Sequence, residues 1–467
     1  MKLFIAGLLA LYPWVVLPIT ISPLPEREGI WLVAKILLLA VLGALLVPFW
    51  NIVPQPRLMR LLLWGEVLFL GLSLFTHFPN SETVSYWLLG ATNRMDGAFY
   101  HFALLLFTFG FANLGRNENK ELLARVLVVS GLYQGVLWLW QRSRLDPLAG
   151  LLGYTPGLPP GTLGNPGMAA GLALPLVPLA LALWLKHKEP AWLLAALGLA
   201  TALGGLANRS SLIALTLALG AWVLLLRERR LALASLGILA LAYTSSAYWP
   251  SILPGQPVQK ELASSRTLET RLEMWRIGLS LLQEPKSFLF GLGPLGLQEA
   301  VVSGKVEVRE LLQLFHLEYG WPPPERLVSA TPLWTPEDPP TSRAYLLRYN
   351  VAGLTEYSKE EFLALQRLSN LDKAHNAYLD KALAFGVPFA LLWTAFLLGP
   401  IPLLLRRKDP KSMGLAIGLL SLGVYYLTWF ATPQTEPWHF ALAVLAWQNA
   451  TKTKPPQTSS SARSTTF

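Results

Sequence analysis

The chain has 467 residues, of which 53% are hydrophobic and 14% charged, whereas soluble globular domains carry about 25% charged residues. It contains no cysteine, which excludes disulfides, zinc–thiolate sites, iron–sulfur clusters and cysteine nucleophiles. The net charge of +10 would suit a nucleic-acid-binding protein, but in so apolar a chain basic residues mark cytoplasmic loops. We therefore expect a membrane protein with no nucleic-acid partner.

Apolar runs of about 20 residues recur along the chain, the length that crosses about 30 Å of hydrocarbon. Because lipid offers the backbone no hydrogen-bond partner, each run is expected to be a helix. We therefore predict an all-α integral membrane protein of about twelve transmembrane helices. The first run lacks a small-residue cleavage site and is expected to be retained rather than removed as a signal peptide. The predicted spans are residues 3–23, 30–50, 58–78, 97–114, 121–140, 166–185, 191–207, 210–226, 231–249, 376–405, 412–431 and 437–449.

The basic residues predict how these spans are oriented. They concentrate in alternate connections, which the positive-inside rule assigns to the cytoplasm. Both termini are then cytoplasmic, and we expect a multi-pass protein of the bacterial inner membrane. The basic residues placed in the cytoplasm are Arg57, Arg60, Arg116, Lys120, Lys186, Lys188, Arg227, Arg229, Arg230, Arg406, Arg407, Lys408, Lys411, Lys452 and Lys454. The short outer segments carry only Arg27, Arg94, Arg142, Arg144 and Arg209.

One outer connection is too long to be a simple linker, and loops of that size usually carry function. We predict a periplasmic loop domain at residues 250–375, which contributes part of the site. The helices of residues 1–249 precede it, and those of 376–450 follow it. A Ser/Thr-rich tail, residues 451–467, is expected to be disordered in the cytoplasm.

Within the loop domain the sequence predicts a helix over 268–283 that stops at a Glu-Pro pair, and then a glycine-rich turn over 291–296. The Pro-rich stretch 321–340 is expected to form an irregular cover. The Ser-x-x-Glu pattern at 358–361 is a capping box, and it predicts a final pair of helices.

Local metal and nucleotide motifs are missing from the sequence. There is no Asp-x-Asp, no His-x-x-x-His, no Gly-x-Ser-x-Gly and no P-loop. We therefore expect no metal and no other cofactor.

Histidine is the side chain best suited to exchange a proton near pH 7. His375 stands out because it lies where the long loop re-enters the membrane, within Asp-Lys-Ala-His-Asn-Ala-Tyr. On position alone, a structural role for it stays open. His77, His101 and His439 are expected near outer helix ends as ordinary interfacial residues, and His187 in the cytoplasm.

Two outer arginines lie in places that need explanation. Arg209 falls between two apolar runs with almost no loop, where a charge costs up to about 3 kcal/mol if it reaches the bilayer centre. It is either a snorkelling anchor or a ligand for an anion. Arg271 and Trp275 are four residues apart and share a helix face, with Arg266 nearby. A solvated amphipathic helix is the alternative for this group.

A third outer arginine, Arg94, could simply pair with Asp96. Taken together, however, several arginines and one histidine converge on the outer surface without a metal motif. Arginine binds phosphate oxygens bidentately and stays charged, and a departing diphosphate needs either a metal or fixed cations. A lipid-linked diphosphate fits, because its tail needs membrane and its head needs arginines.

These residues resemble the motifs of the O-antigen ligase family, membrane glycosyltransferases related to O-antigen polymerases and protein O-oligosaccharyltransferases. The similarity covers roughly residues 85–450 and departs from the family pattern at Leu163, Asn208 and Ser210. The matching stretches, in family order, are Leu89-Gly90 through Arg94-Met95-Asp96-Gly97, Gly161-Thr162-Leu163-Gly164-Asn165-Pro166, Asn208-Arg209-Ser210, Arg271 to Trp275 with Gly291-Leu292-Gly293, and His375-Asn376-Ala377-Tyr378-Leu379.

The resemblance implies a GT-C-like, metal-independent enzyme that moves a glycan from an undecaprenyl-diphosphate carrier to an acceptor hydroxyl at the periplasmic face. The implied acceptor is similar to a lipid A core. His375 would act on the acceptor as general base, and Arg209 and Arg271 would bind the diphosphate. The further candidates are Arg266 and Arg94 for the diphosphate, and Trp275, stacked on Arg271, with Asn376 and Asn165 as supporting residues.

Three other functions remain open from the sequence. A polymerase would use the same donor but extend another lipid-linked unit, and a protein O-oligosaccharyltransferase would modify a periplasmic protein. A small-solute transporter should place ionisable residues or broken helices near the membrane midplane. The ionisable residues inside the predicted spans are mainly Lys35 and Glu66, which could form a structural pair.

Overall fold

The computed structural model describes residues 2–17, 29–46, 56–78, 84–90, 94–114, 119–143, 146–152, 162–252, 265–335, 344–350, 361–367 and 373–451. The helices are α1 (Lys2–Leu11), α2 (Gly29–Leu46), α3 (Arg57–Thr76), α4 (Val84–Leu89), α5 (Ala98–Leu114), α6 (Asn119–Arg142), α7 (Pro147–Leu152), α8 (Pro166–Ala173), α9 (Leu176–His187), α10 (Pro190–Gly205), α11 (Arg209–Leu226), α12 (Arg229–Ile252), α13 (Ser265–Leu281), α14 (Pro285–Phe290), α15 (Leu297–Val302), α16 (Val308–Tyr319), α17 (Ala377–Phe385), α18 (Val387–Leu398), α19 (Pro400–Leu405), α20 (Pro410–Tyr426) and α21 (Glu436–Ala450). The strands are β1 (Leu327–Pro332), β2 (Ala344–Asn350) and β3 (Glu361–Arg367).

The helical architecture that the sequence predicts is confirmed. Each predicted span contains a helix, and in the described ranges six helices are long and apolar enough to cross a membrane. The total of twelve spans stays a prediction. In the first predicted span, the helix ends at Leu11 and a 3-10 turn, Tyr12–Trp14, follows. Residues 18–23 of that span lie outside the described residues.

The centre of the bundle is formed by the helix pair α8–α9 and by α20 and α21. Within the Pro166–His187 stretch 94% of the apolar window is buried, against 28% for Arg229–Tyr248, so the latter helix lies at the periphery. Small residues let α9 and α20 approach closely, as is common between membrane helices. A Cβ on Gly418 would lie 2.9 Å from the carbonyl oxygen of Pro175.

The predicted span 376–405 is not one helix but three, α17, α18 and α19. The first break is at Gly386, whose φ of +91° is reached readily only by glycine. A Cβ there would overlap the backbone of Leu289, so the crossing of α14 requires glycine. The break therefore separates the short helix after His375 from the longer apolar helix that follows.

The region between α12 and α17 has its own hydrophobic core, in which Met274 and Ile277 of α13 pack with Leu312 of α16 and Leu347 of β2. The core also includes Leu383 of α17. The strands form an antiparallel sheet in the order β1-β2-β3, and in its register Leu346 pairs with Leu365. The loop region is thus packed onto α17.

The structure changes several predictions for this region. The helix predicted over 268–283 is present as α13, and the glycine turn adopts positive φ at Gly291, Gly293 and Gly296. The helix pair predicted from the capping box is wrong, because the chain from Glu361 forms β3; pairing with the aromatic-rich β2 overrides the local signal. The stretch 321–340 is not wholly irregular, since it contains β1. The predicted disorder at 452–467 lies outside the described residues.

Candidate functional site

His375 lies at the point where the loop region turns into α17, and its backbone is held from both sides. Its φ of +55° is unusual for a residue with a side chain, and such backbone costs about 1–3 kcal/mol unless the surroundings impose it. The indole Nε1 of Trp275 donates to the carbonyl oxygen of Ala374 at 2.9 Å, and the amide of Ala377 donates to the carbonyl oxygen of Trp429 at 2.9 Å. These tertiary contacts fix the left-handed turn.

Local hydrogen bonds complete this turn. The amide of Ala374 donates to Asp380 Oδ1 at 2.7 Å. Asn376 is the N-cap of α17, and its Oδ1 accepts from the amide of Leu379 at 3.1 Å. Asn376 therefore supports His375 by starting the helix immediately after it, which agrees with the supporting role that we expect for it.

Two aromatic rings form the surface on which the His375 ring rests, a surface we call the aromatic floor (Trp429 and Phe430). The imidazole lies edge-on to Trp429 at 5.6 Å and to Phe430 at 5.1 Å between ring centroids. The two floor rings are stacked at 5.1 Å. The guanidinium of Arg94 lies 4.6 Å from the centroid of Phe430, so one ring contacts both a candidate base and a candidate phosphate ligand.

The sequence alone allows Asp96 to pair with Arg94, but in the structure Asp96 forms an ion pair with Lys373 instead. Lys373 lies two residues before His375. Asp96 is buried and the Lys373 side chain is mostly so. This contact ties the segment that carries Arg94 to the loop that carries His375, and Lys373 adds a cation that the sequence-based prediction missed.

The glycines around Arg94 are explained by a backbone crossing. Gly90 has φ of +84°, and a Cβ on it would lie 2.7 Å from the amide nitrogen of Asp96. A Cβ on Gly97 would overlap Gly90. Met95 between them also has positive φ, at +51°. The Gly…Arg-x-x-Gly pattern thus fixes the approach of Arg94 to the site.

Asn165 supports the aromatic floor from another helix. Its side chain caps α8 by accepting from the amide of Gly167 at 2.7 Å. A Cβ on Gly167 would overlap the Trp429 ring, and the Gly167 carbonyl accepts from the Tyr425 hydroxyl at 2.6 Å. The Gly-Asn-Pro segment therefore packs directly beneath the residue that contacts His375.

Arg271 and Trp275 reach this region from α13. Arg271 is half-buried and interacts electrostatically with Tyr425, which stacks on Trp429 at 6.1 Å. The observed contact of Trp275 is with the Ala374 backbone rather than the expected stacking on Arg271. The neighbouring Arg276 is exposed and held by Glu273 and Glu310, and these carboxylates raise its pKa.

Arg209 lies at the same end of the bundle, on a different helix. It is the exposed first residue of α11, after Asn208, whose Oδ1 accepts from the Ser211 amide at 3.0 Å. The chain runs away from Gly167 along α9 and returns along α10, so the start of α11 is at the end that carries Tyr425 and Trp429. Helices α11 and α20 pack together.

The remaining predictions for the site are few. Arg266 lies in the first turn of α13, but its side chain is outside the described residues. In the part of the chain that the structure describes, no three His, Asp or Glu side chains are grouped to hold a metal ion. The observed contacts of the His375 ring are with the aromatic floor, and Arg94 lies over one of the floor rings.

The charged residues inside the bundle differ most from the sequence-based prediction. Lys35 and Glu66 do not form a pair, because Lys35 Nζ donates to the carbonyls of Val15 and Thr162, both at 2.7 Å. Buried ionisable residues also occur where none were expected. Lys381 pairs with Glu436 at 2.9 Å, and an Asp-Lys pair inside a predicted span was the signal that could have revealed it.

His101 and His439 lie near helix ends as predicted, in the first turns of α5 and α21, but both are buried rather than interfacial. The His439 Nε2–H donates to the Gly171 carbonyl at 3.0 Å while Nδ1 accepts from the Tyr426 hydroxyl at 2.6 Å. His77 differs from these two in being partly exposed. It follows α3 directly, and its Nδ1 lies 3.0 Å from the Ser73 carbonyl oxygen.

Comparison with known proteins adds no identity to this geometry. No protein-family model matches the chain, and no curated protein matches it. The site residues and their contacts are therefore the basis for the function proposed below.

Proposed function

We propose that this chain is a membrane glycosyltransferase that moves a glycan from an undecaprenyl-diphosphate carrier to an acceptor hydroxyl at the end of the bundle that carries His375. One observation carries the proposal. His375 is held in a strained loop on the same aromatic pair that Arg94 contacts, and Arg271 is near enough to the neighbouring Tyr425 to interact with it electrostatically. The resemblance of the motif residues to the O-antigen ligase family supports it.

In the proposed reaction His375 accepts the proton of the acceptor hydroxyl, an effect usually worth about 10²–10⁴-fold. The acceptor oxygen attacks the anomeric carbon, and the bond from that carbon to the diphosphate oxygen breaks. Arg271, Arg209 and Arg94 stabilise the negative charge on the departing lipid diphosphate. Trp429, which is partly exposed, offers an apolar edge to a sugar ring, and the buried Phe430 supports it from behind. Membrane lipids surround the helices and admit the polyprenyl tail.

The proposed location is the bacterial inner membrane, with both termini in the cytoplasm and the site on the periplasmic side. The six apolar helices support a membrane protein. The distribution of basic residues supports this orientation.

The orientation is tested by labelling single cysteines, because the natural chain contains none. In intact spheroplasts, a thiol reagent that does not cross the membrane should label Arg209→Cys. It should label Lys188→Cys, at the opposite end of the bundle, only after permeabilisation. The reverse pattern would place the His375 end in the cytoplasm.

The function is tested by reconstituting the protein with a polyprenyl-diphosphate glycan and candidate acceptors, followed by mass spectrometry of the products. A single capped lipid acceptor indicates a ligase, a ladder of lengthened lipid-linked chains a polymerase, and a glycosylated protein an O-oligosaccharyltransferase. Arg271→Ala should leave the donor unused, whereas Arg276→Ala on the same helix, already held by two glutamates, should transfer normally. Equal rates for the two variants would contradict the assignment.

A small-solute transporter is the second candidate, and two observations favour it. Lys381 and Glu436 are charged residues buried inside the bundle, and the chain breaks at Gly386 beside them. Both features are typical of transporter binding sites. Saturable solute uptake by proteoliposomes that show no glycan transfer with any acceptor would favour this function over the enzyme.

A further inference from the structure

A buried cluster of charged side chains lies inside the bundle and includes a lysine of α17, the helix that follows the His375 loop. Lys381 of α17 donates to both carboxylate oxygens of Glu436, at 2.9 and 3.2 Å. Glu436 also accepts from the Tyr100 hydroxyl at 2.8 Å and from the Trp393 indole at 2.9 Å. Both oxygens of Glu436 are therefore satisfied, as expected for an ionised carboxylate paired with an ammonium.

A second carboxyl group, that of Glu66 on α3, faces the same cluster. Glu66 is 1% exposed, and its Oε1 has no hydrogen-bond partner among the described residues. It lines a cavity of about 10 Å³ together with His101, Lys381 and Glu436. One ammonium cannot neutralise two carboxylates, and a lone buried carboxylate costs several kcal/mol.

We propose that Glu66 holds an exchangeable proton inside the bundle and that His101 connects it, through two water-sized cavities, to the Asp96–Lys373 pair. The ligand of this site is a proton carried on a carboxyl group and on water. The inference does not depend on glycosyl transfer.

The second cavity provides the connection. It has a volume of about 20 Å³ and is lined by Asp96, Lys373, Asp380 and Glu436, and also by His101. Space of about 10–15 Å³ holds one water, provided that polar groups surround it. His101 therefore borders both cavities.

The other side chains that line the first cavity are apolar, apart from Trp393, whose indole donates to Glu436. They are Leu70, Leu104, Leu105, Phe389 and Phe440. The charged and titratable groups around Glu66 come from α5 (Tyr100 and His101), α17 (Lys381) and α21 (Glu436). In the proposal the proton on Glu66 exchanges through the second, polar cavity, which makes the cluster a proton store rather than a channel.

The experiment is infrared spectroscopy of the full chain in lipid nanodiscs at neutral pH. A protonated carboxyl group has a C=O stretching band that carboxylates lack, and the band shifts in D₂O. We expect this band in the wild-type protein and its loss in Glu66→Gln. The band should persist in Glu273→Gln, which removes a surface glutamate paired with Arg276. After transfer to D₂O, His101→Phe should slow the shift by about tenfold, equal to ~1.4 kcal/mol in the barrier.

The control for losing a histidine is His77→Phe, since His77 lies outside both cavities and should leave the exchange rate unchanged. A wild-type protein without the band overturns the proposal, and this result needs no variant to fold. A band that survives Glu66→Gln but disappears in Glu436→Gln also overturns it. An exchange rate equal in wild type and His101→Phe refutes the connection through His101.

Discussion

At one end of the bundle a residue in left-handed backbone is held by distant parts of the chain, whereas at the other end such residues simply terminate helices. His375 is fixed by Trp275 and Trp429. Lys188 and Arg227, with φ of +62° and +53°, are the C-caps of α9 and α11. Helices commonly end in this way. The same dihedral angle is therefore an ordinary helix cap in one place and imposed strain in the other.

The charged side chains at the two ends have different neighbours. At the Lys188 end, Arg125, Lys186 and His187 surround the carboxylate of Glu121. At the His375 end, Arg94 lies over Phe430, the ring that His375 also contacts, and Arg209 is exposed on its helix. A cation and a candidate base on one aromatic ring suit an anionic ligand with an apolar part.

The variant with the largest expected effect removes the imidazole of His375. His375→Ala should lower glycan transfer by about 10²–10⁴-fold, because the acceptor loses its base. The matched control is His77→Ala, a histidine that follows α3 and holds to the Ser73 carbonyl rather than to the aromatic floor. Both proteins should insert to the same level, as measured by membrane fractionation. Similar transfer by the two variants would remove the basis for the site.

A second test disturbs the floor without touching a charged group. In Gly167→Ala the new methyl group overlaps Trp429, and overpacking of this kind costs about 1–3 kcal/mol. We expect a lower unfolding temperature in detergent together with reduced transfer. Gly220→Ala on α11, where nothing lies within 4 Å, is the control and should change neither. A fully active Gly167→Ala protein would show that the floor does not position His375.

A third test loosens the loop. Trp275→Phe keeps an aromatic ring but removes the hydrogen bond to the Ala374 carbonyl, a loss of about 0.5–1.5 kcal/mol. Transfer should fall by up to about tenfold, mostly in kcat, because the imidazole is held less tightly. Trp321→Phe, elsewhere in the loop region, should keep the wild-type kcat. An effect confined to KM would indicate that Trp275 contacts substrate instead.

The smallest expected effect comes from comparing the two left-handed residues Lys188 and His375 directly. Lys188→Gly relieves a left-handed C-cap and should raise the free energy of unfolding by less than about 1 kcal/mol without changing activity. His375→Gly relieves the same dihedral angle, yet activity should be lost. Thermal unfolding and transfer assays on both variants measure this difference. If Lys188→Gly is less stable than the wild type, the Lys188 side chain contributes more to the free energy of unfolding than its left-handed backbone costs.

Much of the helical architecture could be predicted from the sequence, because apolar runs of sufficient length leave a chain in lipid few alternatives. The helix over 268–283 and the glycine turn after it were also predictable, since propensity and glycine act locally. The capping box at 358–361 failed because strand pairing with β2, a tertiary effect, decided the outcome.

The candidate residues could be selected from the sequence, but their contacts could not. His375, Arg94 and Asn165 were recognisable from motifs, whereas the pairing of Lys373 with Asp96 joins residues 277 positions apart. No local spacing encodes such a contact. The floor residue Trp429 was missed for the same reason, since an aromatic residue near a helix end is usually interfacial.

The break at Gly386 has a mechanical consequence. Because α17 is separated from α18 there and shares its core with the loop region, a force on the loop region reaches His375 without passing through α18. The Lys373–Asp96 ion pair transmits the same force to the segment that carries Arg94. The candidate base and the candidate phosphate ligand are therefore coupled mechanically, and their spacing is preserved when the loop region is loaded.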